Sequence, residues 1–432
     1  MFREALHVIP GGVSRKMVGR DPHPDYVAQG EGCRVTDVEG KTRIDFANNT
    51  ASLIHGHAHP AIVDAVTSQL QLGTAFSMAT EAELRFAQHL CNRNASFDKI
   101  RFMNSGTEAV MAMTKAARAI TGRGKIAKTE GAYHGTYDYA EVSQSSTPEN
   151  WGSESSPAPV PLVQGTPESV LEDVIVIPFN DIDRTIQLLD QHKQELACVV
   201  IDPLPHRLGL IPATKEYITA IRQWTTDNKS LLAFDEVISF RMGYGGAQNW
   251  FPDVQPDLTA LGKIIGGGFP VGSLVGKAEF MSCFDPAQGK PVLFSGTFSA
   301  NPITMTAGLV AMERFDEAAV AQVNQLGDYA RQEMTAAIDS VGVTACVTGA
   351  GSMFRVYLKP KPPVEYRSAW QDPEETRDVA FLVNHLYDAG FMMINTCSGA
   401  ISTVISKTEI DQLVEAFAKG LSALKSRSKN RD

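Results

Sequence analysis

Residues 197–236 read ACVVIDPLPHRLGLIPATKEYITAIRQWTTDNKSLLAFDE. A continuous apolar run (ACVVID, 197–202) is followed by a helix-length stretch (KEYITAIRQWTTDNK, 215–229) and a second apolar run (LLAFDE, 231–236). Apolar runs without polar alternation predict strands buried on both faces, and the stretch between them is the crossover helix that parallel neighbours need. The same texture extends outward through KIAKT (125–129), VIVIPF (174–179), DLTALG (257–262) and GSLVG (272–276). The expected fold class is α/β, a doubly wound, mostly parallel sheet flanked by helices. In such sheets ligands bind beyond the carboxyl ends of the strands, so polar residues there are the first candidates for chemistry.

Beyond Asn301-Pro302 the texture changes. PITMTAGLVAMERF (302–315) is a long helical pattern, followed by further helices and a few strands such as SMFRVYL (352–358). Residues 310–432 are expected to form a smaller α+β domain. Residues 1–55, with short strand signals in GCRVTDVEG and TRIDFA, are expected to join it, leaving 56–309 as the large domain. Segment 144–170 holds five of the chain's 23 prolines and is long for a loop, which leaves a disordered surface excursion or a mobile lid. The polar tail KSRSKNRD (425–432) is expected to fray.

Composition narrows the class of function. The chain has 432 residues, 43% hydrophobic and 20% charged, with 39 basic and 49 acidic side chains and a net charge of −10. That balance argues against a nucleic-acid-binding surface, and no apolar run approaches the roughly 18 residues of a membrane span. The N-terminal MFREALHVIPGGVSR lacks a secretory apolar core, and six cysteines without CxxC spacing read as reduced thiols, so a cytoplasmic protein is expected.

Three clusters carry chemistry. In NSGTEAVMAMTKAARAI (104–120), apolar residues at Ala109, Val110, Met113, Ala116, Ala117 and Ile120 mark one helical face. Ser105, Gly106 and Thr107 then sit at its start, as a phosphate seat or as an ordinary N-cap. Asp235 ends an apolar strand, where a buried carboxylate needs donors or a cationic partner. Lys263 follows another strand and precedes Gly266–Gly268; desolvation there lowers a lysine's pKa and suits it to Schiff-base formation, whereas a loop lysine would be solvated. A phosphate seat, an acid for a ring nitrogen and an imine-forming lysine together fit one cofactor, pyridoxal 5′-phosphate.

At this point a family resemblance becomes specific. NSGTEA (104–109), GAYHG (131–135), FDEVISFR (234–241), LGKIIGGGFPVG (261–272) and GTFSANP (296–302) resemble, in order and spacing, the class III aminotransferases, pyridoxal-phosphate enzymes of fold type I. The similarity runs from about residue 9 to about residue 420. FRMGYGGAQ and LGKIIGGGFPVG are similar to glutamate-1-semialdehyde aminomutases, and PGGVSR (10–15) to β-phenylalanine aminotransferases. The resemblance implies that Lys263 carries the cofactor covalently and shuttles a proton, while Asp235 keeps the ring nitrogen protonated. It implies that Tyr133 stacks on the ring opposite Val237, with His134 beside it, and that Ser105, Gly106 and Thr107 hold the phosphate. Thr297 would reach the phosphate of a neighbouring subunit, which implies a homodimer.

The pattern breaks where substrates are chosen. Many relatives read Glu-Pro where this chain has Asp202-Pro203. Arg207 stands where aminomutases carry an asparagine, and Ser398 where they carry a glutamate. Losing contacts that retain an intermediate favours a transaminase, moving an amino group from an amino acid (including a β-amino acid) or amine to a keto acid; the alternative is an aminomutase. A non-catalytic cofactor-binding protein is the third reading. Arg15 matches an arginine that binds substrate carboxylates in β-phenylalanine aminotransferases, and Arg207 is a second carboxylate candidate. His55, His57 and His59 match a Gly-His-x-His-Pro turn that holds no metal in relatives, so no metal site is expected.

Overall fold

The computed structural model describes residues 1–429, so the end of the tail expected to fray, 430–432, lies outside the described residues. Its earlier part, 425–429, continues the helix Lys407–Lys429.

Seven strands form the central sheet: β1 (Lys99–Met103), β2 (Lys125–Thr129), β3 (Val174–Ile177), β4 (Leu196–Ile201), β5 (Leu231–Asp235), β6 (Leu258–Gly262) and β7 (Gly272–Gly276). Their spatial order is β1-β7-β6-β5-β4-β2-β3. All six residues of β4 and all five of β5 are buried, as strands covered on both faces require. Helix α1 (Gly106–Thr121) follows β1, and α2 (Lys215–Asp227) links β4 to its parallel neighbour β5.

Two departures from the sequence reading have simple causes. β7 runs antiparallel to both of its neighbours, an exception that its apolar pattern does not announce in a sheet that is, as expected, mostly parallel. Only residues 263–271 separate it from β6, and a parallel crossover takes about a dozen or more. β1 carries no signal of a doubly buried strand because KIRFM has two basic residues, and it lies at the sheet edge, partly exposed.

The N-terminal strands Val27–Glu31, Arg34–Asp37 and Thr42–Asp45 pair with one another, and Phe391–Met392 joins them in parallel. A three-stranded sheet combines Cys346–Thr348, Met353–Tyr357 and Ser398–Ala400. A boundary between residues 309 and 310 falls inside α3 (Pro302–Arg314), a continuous helix. One apolar core runs past it, joining Phe46, Phe86, Leu261, Met312, Phe354 and Leu413.

Segment 144–170 is ordered. It contains the hairpin Gly152–Ser153/Ser156–Pro157, and the helix Glu168–Glu172 begins at its end. Arg367 fastens it by donating to the carbonyls of Trp151 (2.8 Å), Gly152 (3.1 Å) and Ser153 (3.2 Å). The same guanidinium grips buried Glu130 at 2.9 Å and 3.3 Å. Among the described residues no helix is long and apolar enough to cross a membrane, and no three His, Cys, Asp or Glu side chains converge as metal ligands.

Arg367→Met strands the Glu130 carboxylate, a loss of about 3–5 kcal/mol for a broken buried pair. The variant is expected to melt at a lower temperature and to be cut by protease first within 144–170. Cleavage no faster than in the wild-type protein would show that the hairpin holds itself.

Candidate active site

The carboxyl ends of the parallel strands open into a cavity of ≈ 340 Å³, lined by Asn104, Thr107, Tyr133, His134, Asp235 and Lys263 among others. Its floor follows from local sequence. After β1, Ser105 caps α1 by accepting the Glu108 N–H at 3.1 Å, while the Glu108 carboxylate accepts the Asn104 N–H at 2.6 Å. The N–H groups of Gly106 and Thr107 belong to the first turn, which has no intrahelical acceptors to offer them. Gly106 is needed because a Cβ there would meet the Val237 methyls at 2.9 Å and 3.0 Å.

Asp235 ends β5, buried at 4% exposure. One of its oxygens accepts the Val237 N–H at 3.0 Å, and the other lies 2.7 Å from Nδ1 of buried His134. Burial pushes the His134 ring below the usual imidazole pKa, against the pull of Asp235. The neutral ring therefore carries its proton on Nδ1 and donates it to Asp235. Lys263 follows β6 in the left-handed region (φ 50°). Burial lowers its amine pKa; Asp235 opposes that shift, Arg15 adds to it, and Asp202 opposes it. Among the described residues no hydrogen bond or ion pair engages its Nζ. Tyr133, 45% exposed, is an aromatic on the cavity wall and not part of the core.

The structure thus brings together Ser105, Gly106, Thr107, Tyr133, His134, Asp235, Val237 and Lys263. Three other expected residues lie apart. Thr297 is exposed and does not line the cavity. Arg207 donates to Ser145 Oγ at 2.7 Å and is not one of the lining residues. Arg15 lines a second cavity of ≈ 260 Å³, which shares Asn49 with the first. His55 binds Thr403 Oγ1 (2.9 Å) and the Ala311 carbonyl (2.8 Å), and His57 binds Asp45 (2.8 Å).

The sequence reading gave no site role to Asn49, Asn104 or Asp202, although all three line the cavity. Asn104 stands beside the helix cap, and Asp202 follows directly on the end of its strand, so position alone carried a signal for both. Asn49 carried none, because it depends on an unusual turn. Asp202 is buried, and burial followed by the Asp235 charge raises its carboxyl well above the usual range. Ser398 lies wholly buried with its Oγ 2.9 Å from Nε2 of His206 and 2.8 Å from Thr396 Oγ1. Burial, with the charges of Arg355, Lys263 and Arg207, pushes that ring down to about 3.

An N-terminal anion seat, a buried acid and a free desolvated amine around one cavity are the anchoring set of a pyridoxal-phosphate enzyme. The chain belongs to the class III aminotransferase family, which it matches over residues 17–421. It is 36% identical over 376 residues to a glutamate-1-semialdehyde 2,1-aminomutase from Methanocaldococcus jannaschii, covering 87% of this chain and 86% of that one. Among solved structures, an omega-transaminase from Sphaerobacter thermophilus is 45% identical with a TM-score of 0.95, covering 98% and 97%. A transaminase with bound pyridoxal phosphate is 40% identical (TM-score 0.90, covering 99% and 97%). A β-phenylalanine aminotransferase from Variovorax paradoxus is 29% identical (TM-score 0.87, covering 98% and 93%). This chain is an enzyme of that class and uses pyridoxal 5′-phosphate. The uncommitted Lys263 amine and the open N–H groups of Gly106 and Thr107 fit that cofactor.

The His206 ring makes a pH prediction. Its folded pKa lies below the unfolded value, so below about pH 6.5 the unfolded chain takes up a proton that the native chain refuses. Stability then falls with pH by about 1.4 kcal/mol per unit for this group. His206→Asn is expected to flatten the dependence of the urea midpoint between pH 6 and pH 4, and parallel curves for variant and wild type would contradict the assignment.

Proposed function

We propose that the chain is an aminotransferase that takes an amino group from an amino acid, including a β-amino acid, or an amine, and passes it to a keto acid in two half-reactions. The observation carrying this reading is the cofactor seat of Ser105–Thr107, Asp235 and Lys263 around one cavity, together with a buried neutral hydroxyl, Ser398 paired with His206, at the position where aminomutases carry a glutamate. The 45% identity to an omega-transaminase supports it. The names of the curated relatives favour a second reading, a glutamate-1-semialdehyde aminomutase.

When bound, pyridoxal phosphate supplies an aldehyde carbon that takes up the amine and a ring that accepts the electrons of the broken C–H bond. Lys263 would carry the cofactor through its amine and then serve as general base, holding the proton removed from the donor carbon. Its lowered pKa leaves more of the amine unprotonated at neutral pH. Asp235 would hold a proton on the ring nitrogen, and the neutral His134 fixes which carboxylate edge faces inward. Gly106 and Thr107 would bind the phosphate with Ser105 beside them, and Tyr133 and Val237 would cover the two ring faces. Arg15, with Arg207 as a second candidate, would take the donor's carboxylate.

The reading includes a homodimer in which Thr297 reaches the other subunit's phosphate. Phe76, Met78, Leu293 and Phe298, exposed by 54%, 82%, 84% and 60%, are apolar surface of the kind that a second copy would cover. It also includes a cytoplasmic location, consistent with six unpaired thiols, and a large domain distinct from one built of the N-terminal strands and the C-terminal third.

Lys263→Ala is expected to remove turnover by at least about 10⁴-fold, the upper range for losing a general base, with the cofactor no longer reduced onto the chain by borohydride. In the wild type, each donor tested should leave pyridoxamine phosphate and need a keto acid for further turnover. Conversion of glutamate-1-semialdehyde to 5-aminolevulinate with no keto acid present would establish the aminomutase instead.

A further inference from the structure

Residues Asn48 to Ala51 form a turn of left-handed backbone, with φ of 46°, 47°, 61° and 61° in four successive non-glycine residues. Left-handed conformation is costly for side chains other than glycine, and least so for asparagine. It persists only where the surroundings impose it. Here they do. Asp45 Oδ1 accepts the N–H groups of Ala47 (2.8 Å) and Asn48 (2.9 Å), and Asn48 Nδ2 donates to the Ala400 carbonyl at 2.6 Å. Arg241 donates to the carbonyl of Ala51 at 3.2 Å.

The turn presents Asn49 to both cavities at once. Its Nδ2 donates to Ser52 Oγ (3.1 Å), which fixes the amide's orientation and leaves Oδ1 to accept from Arg15 Nη1 at 2.5 Å. Thr50 Oγ1 accepts from Nη2 at 3.2 Å. Both acceptors are neutral. The carboxylates around the second cavity are committed elsewhere: Asp37 and Asp25 to Arg43 at 2.7 Å and 3.1 Å, and Asp45 to His57 at 2.8 Å. Arg15 is therefore aimed without being neutralised, and its charge reaches Lys263.

We propose that Asn49 is the specificity-setting positioning residue of this enzyme, holding the Arg15 guanidinium at the junction of the two cavities and so selecting donors that carry a carboxylate. The inference rests on the reading of Arg15 as the carboxylate-binding group. A neutral amide suits the task because it orients the fork while leaving the positive charge for the substrate. An aspartate at the same place would orient the fork and cancel the charge.

The test compares β-phenylalanine with 1-phenylethylamine, the same donor without its carboxylate, on the holoenzyme. Asn49→Gly keeps a residue that tolerates positive φ and removes the amide. It is expected to raise KM for β-phenylalanine about tenfold, the scale of one charged hydrogen bond, with kcat within twofold and no change for the amine. Asn49→Asp is expected to raise that KM further and again to spare the amine. Arg15→Met should raise that KM at least as far as Asn49→Gly, and adding Asn49→Gly to it should change nothing more. An Asn49→Gly enzyme that handles β-phenylalanine like the wild type while Arg15→Met does not, or that loses both donors equally, overturns the role of Asn49. Unchanged KM in Arg15→Met overturns the reading of Arg15 itself.

Discussion

Arg241 is wholly buried, with no carboxylate among its hydrogen-bond partners. Its guanidinium donates to Ser352 Oγ at 2.8 Å, to the Ala51 carbonyl at 3.2 Å and to the Ile401 carbonyl. Burial alone lowers its pKa to about 9, so the charge is kept by neutral oxygens from three distant segments. Removing any one of them leaves a buried charge short of a partner, which is what makes the arrangement stiff. It sits six residues beyond Asp235. The loop that leaves the cofactor acid, the left-handed turn and the C-terminal strands are therefore fixed by one side chain.

The same physics governs the acids around it. Asp235, Glu236 and Asp202 are all buried near one another, and three charges cannot be desolvated together at neutral pH. The fold resolves this by giving them unequal partners. Glu236 receives donors from Gln248 (2.8 Å) and the Ala247 N–H (2.5 Å), yet burial still raises it to about 7. Asp202 has the Leu204 N–H at 2.9 Å and is pushed up by burial and by Asp235. Asp235 alone has an imidazole N–H. Asp235 thus differs from its two buried neighbours in the donor that it is given.

The floor of the site was legible in the sequence because its residues sit at the places where regular elements end. Ser105 to Thr107 open a helix, Asp235 closes a strand, and Lys263 follows one; periodicity finds element ends, and chemistry follows from residue type. What the sequence hid has a different origin. The antiparallel β7 followed from connection length and not from its apolar pattern. The order of segment 144–170 comes from Arg367, more than 190 positions away, and no local signal in a proline-rich stretch announces a distant guanidinium. Asn49 reaches the cavity through positive φ values that ordinary residues avoid, so no propensity argument placed it there.

That division between floor and mouth bears on the chemistry. Anchoring a cofactor demands an amine, an acid and a helix start, and proteins of different activity that share the family share those demands. Choosing a substrate depends on groups that meet only the part of it projecting from the ring. The group proposed for that here is the Arg15 guanidinium, held by neutral amide and hydroxyl oxygens. Ser398 and His206 form a buried hydroxyl and imidazole pair, and burial keeps the ring uncharged. A guanidinium whose charge is not cancelled favours a carboxylate over a second ammonium. A mutase must hold a diamino intermediate between its half-reactions, whereas a transaminase must let its product leave. The uncancelled charge of Arg15 is the electrostatic ground on which release, and so a transaminase, is proposed.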